Sequence, residues 1–171
     1  MIRRRKNVNW EEILPPEDLV FVWQQIRPNE WYPMATFERL GIAILEHLDG
    51  ASLDAVRLWG RFSAQQFGSG QEGLVVEREP VESLMRLRVM RSTLFDFPAF
   101  DIPMLTDGHA RVAVIYHMSE RAEEAACYQT MGFCEGVVSL AGGGNVRAEF
   151  SQRAWDGAPK TIFDLEWDHV V

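Results

Sequence analysis

Two short segments near the C-terminus alternate apolar and polar side chains with a period of two, and nothing else in the chain constrains its fold as strongly. Val146, Ala148 and Phe150 interleave with Arg147 and Glu149, and Phe163, Leu165 and Trp167 interleave with Asp164, Glu166 and Asp168. A strand turns successive side chains to opposite faces, so this period predicts two half-buried strands. Asp156-Gly157 and Pro159 lie between them and supply turn chemistry. An antiparallel hairpin with one face on the core and one in water is expected.

A sheet with one apolar face has to be covered, and the rest of the chain reads mainly as helix. Ser119 is placed to cap a long helix whose first turn carries Glu120, Glu123 and Glu124, the charge that a helix N-terminus favours. Its apolar surface comes from Ala122, Ala126, Met131, Phe133, Cys134, Val137 and Val138, and Gly142-Gly143-Gly144 ends it. Upstream, Pro15-Pro16 before Glu17 and Asp18 starts a helix running to about Ile26. Pro33 starts another, with Phe37, Leu40, Ile44, Leu45 and Leu48 at helical spacing and Asp49-Gly50 closing it.

Ser52 or Asp54 caps a third, ending at Phe67-Gly68, with Leu53, Val56 and Trp59 apolar and Arg57, Arg61 and Gln65 polar. Pro80 to about Phe95 is a fourth. The prolines between Phe97 and Gly108 point to a surface loop, and Arg111 to His117 to a strand. The expected class is α+β, with four to five helices packed on a small antiparallel sheet that ends in a C-terminal hairpin.

The chain has 171 residues, 47% of them hydrophobic and 25% charged, enough for one domain with its own core. We expect a basic disordered tail over residues 1–8 and a single domain over 9–171. The net charge is −8, and Arg3, Arg4, Arg5 and Lys6 hold four of the 17 cationic residues. The acidic remainder repels a phosphate backbone, so nucleic acid is not an expected partner. No apolar run approaches the ~20 residues that cross a bilayer, and none follows Met1 as a secretory signal would, so a cytoplasmic location is expected.

Cys127 and Cys134 lie seven residues apart on the long helix, about 10 Å between Cα atoms, beyond the reach of a disulfide. Gly68-Ser69-Gly70-Gln71-Glu72-Gly73 spells the dinucleotide pattern but follows a helix rather than a strand, and reads as a loop. His47, His109, His117 and His169 have no zinc-type spacing, and no GxSxG elbow is present. Neither a metal nor a cofactor is expected, and no catalytic residue is assigned. Of the six tryptophans, Trp23, Trp59 and Trp167 fall on apolar faces and are expected in the core. Trp31 at a helix start and Trp155 near the hairpin turn are placed to line a cleft. Gly132 and Gly136 leave a groove one turn long, suited to helix packing, to a dimer contact or to a ligand.

Trp31-Tyr32-Pro33 with the helix through Gly41, Leu58-Trp59-Gly60-Arg61, Tyr128-Gln129-Thr130-Met131-Gly132-Phe133 and the closing Phe163-Asp164-Leu165-Glu166-Trp167 resemble an uncharacterised myxobacterial family, domain of unknown function 2378. That family is similar in pattern to four-vinyl-reductase-like and haem-nitric-oxide-binding-like domains. In these a final glycine-bearing helix and hairpin enclose a pocket. The resemblance implies a sensor or adaptor module. The chain lacks the cysteine cluster that holds zinc in the former and the Tyr-x-Ser-x-Arg haem motif of the latter.

The function read from the sequence is therefore a non-catalytic signalling or adaptor module that binds an apolar small molecule or a protein partner, as a homodimer. Its ligand site is placed on Cys127, Met131 and Cys134, spaced four and three along one helical stripe, with Trp31 and Trp59 closing the other side. Two alternatives stay open: an enzyme with an unrecognised site using Cys134 or His117, and a structural interaction scaffold.

Overall fold

The two alternating segments do pair. In the computed structural model, which describes residues 8–25, 27, 30–47, 52–70 and 73–168, they form β3 (Gly144–Gln152) and β4 (Thr161–Asp168), antiparallel with Ala148 opposite Leu165 and Phe150 opposite Phe163. A short 3-10 turn at Ala154–Asp156 and Gly157 at φ +91° connect them, a backbone angle that glycine takes without strain. The sheet is completed by β1 (Phe100–Thr106) and β2 (His109–Val114), in the order β1-β2-β4-β3 with every pair antiparallel.

β1 falls where the prolines predicted a loop. Pro103 is tolerated because β1 is an edge strand, where a missing N–H breaks no ladder bond, and the register slips between Asp101 and Met104 beside it. An exposed edge invites pairing with another chain. Each edge has a carbonyl taken by a helix arginine: Arg91 donates to Phe100 O at 3.0 Å and Arg57 to Ala148 O at 3.1 Å.

Six α-helices occur among the described residues, and together with the four-stranded antiparallel sheet they make an α+β fold. The chain divides into two compact units, Met1–Ser52 and Leu53–Val171. The first holds α1 (Trp10–Ile13), which the sequence did not signal, α2 (Pro16–Trp23) and α3 (Met34–His47). Residues 1–7, Ile26, Asp49 and Gly50 lie outside the described residues. The core of this unit is Trp10, Leu14, Val22 and Ala43, with Leu19, Leu40 and Ile44 packed on it.

Asp18 is buried on α2 and accepts hydrogen bonds from Thr36 Oγ1 at 2.7 Å and from both arms of the Arg39 guanidinium on α3. Those Arg39 bonds, against the opposing effect of burial and with help from Thr36, hold its carboxyl below the usual range.

The second unit holds the sheet, α4 (Leu53–Gly70), α5 (Pro80–Leu94) and α6 (Glu120–Leu140). Gly68, Ser69 and Gly70 belong to the end of α4 rather than to a loop, so the dinucleotide pattern starts inside a helix. α6 touches α4 and strands of the sheet, and 12 of its residues are buried. Ser119 is the N-cap residue of α6, but its side chain makes no cap bond. Glu123 folds back instead and accepts from Tyr116 N at 3.1 Å and Met118 N at 3.0 Å.

Candidate functional site

α6 has two working faces, set by residue size. Along one, Gly132 and Gly136 recur at one turn, and α4 fills the groove they leave: a Cβ on Gly132 would overlap the Arg57 carbonyl, and one on Gly136 would lie 2.7 Å from Ala64 Cβ. Gly60 on α4 is as tightly seated, since a Cβ there would overlap the Gln129 carbonyl on α6. Of the three uses the sequence allowed for this groove, the structure realises close helix packing.

Packing through the small residues Gly60 and Ala64 turns their bulky neighbours outward. Leu58, Trp59 (40% exposed) and Phe62 stand on the exposed side of α4, and the Trp59 and Phe62 rings lie 5.4 Å apart. Trp59 is therefore not a core residue as its sequence setting predicted, and neither is Trp23, at 58% exposure on α2, a helix that meets its core through Val22. Trp167 is in the core.

Arg57 and Arg61 are also not a solvated face. Both reach Glu135 on α6, each guanidinium Nε lying 2.9 Å from Glu135 Oε2, and a second Arg57 nitrogen binds Oε1. Glu135 is buried. Burial opposes its ionisation most, but hydrogen bonds and charge from the two arginines outweigh burial and hold the carboxyl below its ordinary value. This triad was missed because an arginine pair one turn apart reads as a surface stripe, and its acid lies 78 and 74 residues away. The available signal was an acid set between Cys134 and Gly136, inside a stripe that is otherwise small or apolar.

The opposite face of α6 carries the sulfur stripe. Cys127, Met131 and Cys134 are all buried and neither thiol is in a disulfide. This face meets the sheet side, where Cys127 hydrogen bonds the Thr161 hydroxyl on β4. Nearby, Tyr116 OH and Thr130 Oγ1 pair at 2.6 Å. Burial pushes both thiols up to about 12, and burial likewise raises the Tyr116 hydroxyl. Neither cysteine is then a thiolate near neutral pH, the form that nucleophilic catalysis needs.

The five residues assigned to a ligand site on sequence are thus distributed as follows. Cys127, Met131 and Cys134 come together on the sheet side of α6. Trp59 is on α4, across the glycine face, with its ring turned to Phe62. Trp31 belongs to the first unit, where it is 61% exposed.

Comparison with known proteins adds one result. No protein-family model and no curated protein matches the chain. Solved structures do match: an H-NOX protein from S. oneidensis in the Fe(II)NO ligation state superposes with a TM-score of 0.65 at 11% identity, over 92% of this chain and 85% of that one. A mutant of T. Tengcongensis H-NOX superposes with a TM-score of 0.64 at 14% identity, over 99% and 94%. The chain shares the fold of the H-NOX proteins.

None of the described histidines and neither cysteine presents an open axial ligand for a haem iron. A haem iron takes an axial His, Cys thiolate, Met or Tyr in a closed site. Among the described residues His47 and His117 are exposed, and His109 Nε2 is 3.1 Å from Asp164 Oδ1 on the outer face of the sheet. Cys127, Met131 and Cys134 are buried, and burial raises both thiols so that they hold their protons. Within the described residues no three metal-binding side chains converge, and no helix is long and apolar enough to cross a membrane.

Proposed function

We propose that this chain is a non-catalytic sensor or adaptor module that binds an apolar small molecule or a protein partner. The observation that carries the proposal is the fold shared with H-NOX proteins, one of which is described with nitric oxide on its iron. Two enclosed, protonated thiols support a binding role over an enzymatic one, because Cys134 as a nucleophile would need a thiolate. His117 as a catalytic base has no described partner to orient it.

The finer identity belongs to the same proposal: membership of the myxobacterial domain-of-unknown-function-2378 group, a cytoplasmic location and a homodimeric state. For an apolar ligand the proposed wall is the stripe Cys127, Met131 and Cys134, whose soft side chains adapt to irregular shapes.

The variant Met131→Trp tests the wall, with the apolar fluorophore 1-aminoanthracene as probe. The proposal expects saturable fluorescence with the parent protein, none with the variant, and nearly equal melting temperatures. A variant destabilised by ~1 to 3 kcal/mol, the usual cost of overpacking a solid core, would mean that the stripe is packing alone.

A further inference from the structure

A separate concavity of about 180 Å³ opens where β2 runs into α6, and its walls include Ile115, His117, Met118, Glu123, Trp155 and Lys160. The apolar part of the wall is backed by other aromatic rings. Trp155, from the β3–β4 connection, is set edge-on against Phe150 at 5.2 Å and lies beside Tyr128 at 6.4 Å, so its ring is braced from behind.

The polar part divides into groups already used and groups left over. The Glu123 carboxylate is buried and accepts from two backbone N–H groups, so it is a piece of the wall. Lys160, the only lysine among the described residues, is half-buried at the cleft and makes no hydrogen bond or ion pair with any of them. His117 also keeps its imidazole unpaired there, and it holds φ at +58°, a left-handed angle that side-chain-bearing residues seldom adopt. Glu120, on the rim, is the one acid in the lining with no described partner.

One unused cation, one unused imidazole and one unused carboxylate thus surround a braced apolar wall. We propose that this cleft binds a small apolar α-amino acid: Lys160 and His117 take the carboxylate, Glu120 takes the α-ammonium, and Ile115, Met118 and Trp155 take the side chain. Lys160 then faces the carboxylate and Glu120 the ammonium, and the left-handed turn at His117 is what brings the imidazole to the cleft. The cleft shares no residue with the sulfur stripe, so the two proposals stand or fall separately.

The test is an NMR titration of the Trp155 indole N–H, assigned by its loss in Trp155→Phe, with three probes. Leucine carries both charged groups, 4-methylpentanoate lacks the ammonium and 3-methylbutylamine lacks the carboxylate. Leucine should saturate the shift at the lowest concentration. Lys160→Met should weaken leucine and 4-methylpentanoate by about tenfold, the scale of one charge-assisted hydrogen bond, and leave 3-methylbutylamine unchanged. Glu120→Gln should bring leucine down to the level of 4-methylpentanoate. Absence of any Trp155 shift up to millimolar leucine, or equal leucine binding by the parent and Lys160→Met, would overturn the proposal. Tighter binding of 4-methylpentanoate than of leucine would also overturn it, since the site would then be one for plain carboxylic acids.

Discussion

Glu135 shows how one side chain can hold two helices in place. Its folded-state carboxyl titrates below its ordinary range, because Arg57 and Arg61 outweigh the effect of burial. A depressed pKa contributes stability above the unfolded value of ~4.3, and that contribution is lost as pH falls through the folded value. Glu135→Gln should therefore destabilise the protein by about 3 kcal/mol at pH 7 in urea denaturation, the low end for a broken buried pair, since the arginines retain access to water. The gap between variant and parent should narrow as pH drops into the acid limb; a constant gap would mean that the charge is not what matters. The thiols give the opposite sign of shift and a simpler test. With Cys127 and Cys134 pushed up to about 12, a thiol reagent at pH 8 should label neither in the native protein and both in denaturant. Rapid labelling of the native chain would place a thiolate at the surface.

Among the elements, the α4–α6 contact depends on missing side chains. Gly132→Ala puts a methyl group into the Arg57 backbone carbonyl, which cannot swing aside as a side chain could. A loss of up to ~3 kcal/mol is expected, even though alanine favours a helix by about 1 kcal/mol over glycine. Gly41, within α3, has nothing within 4 Å of the same methyl, so Gly41→Ala should stabilise by up to about 1 kcal/mol. Opposite signs for these two variants in thermal melts would verify the packing, and equal signs would refute it. This contact also marks where sequence reading loses power. The hairpin was legible because a period of two has one interpretation, and α6 because its acidic first turn and terminal glycines bound it. β1 was not, since Pro103 signals a loop unless the strand is known to lie at an edge. The orientation of α4 was not either: large apolar residues such as Leu58, Trp59 and Phe62 outcompete Gly60 and Ala64 in any hydrophobic pattern, yet the small residues make the contact. Of the candidate site, the sulfur stripe was legible as one face of a helix. Its separation from Trp59 was not, because that depends on which side of α6 receives α4.

At the scale of the molecule, the second unit is layered, with α6 touching both α4 and the strands of a sheet whose edge carbonyls are taken by Arg57 and Arg91. Such an arrangement lets a change at α6 reach either neighbour, which is what a sensor needs and an isolated catalytic pocket does not. Native mass spectrometry of freshly purified protein tests the binding-module account most directly, because it reads bound mass and subunit number together. The account predicts a stoichiometric small-molecule adduct of non-haem mass on an assembly of two chains. A mass increase equal to haem would contradict it, and bare polypeptide in every preparation would contradict its small-molecule form.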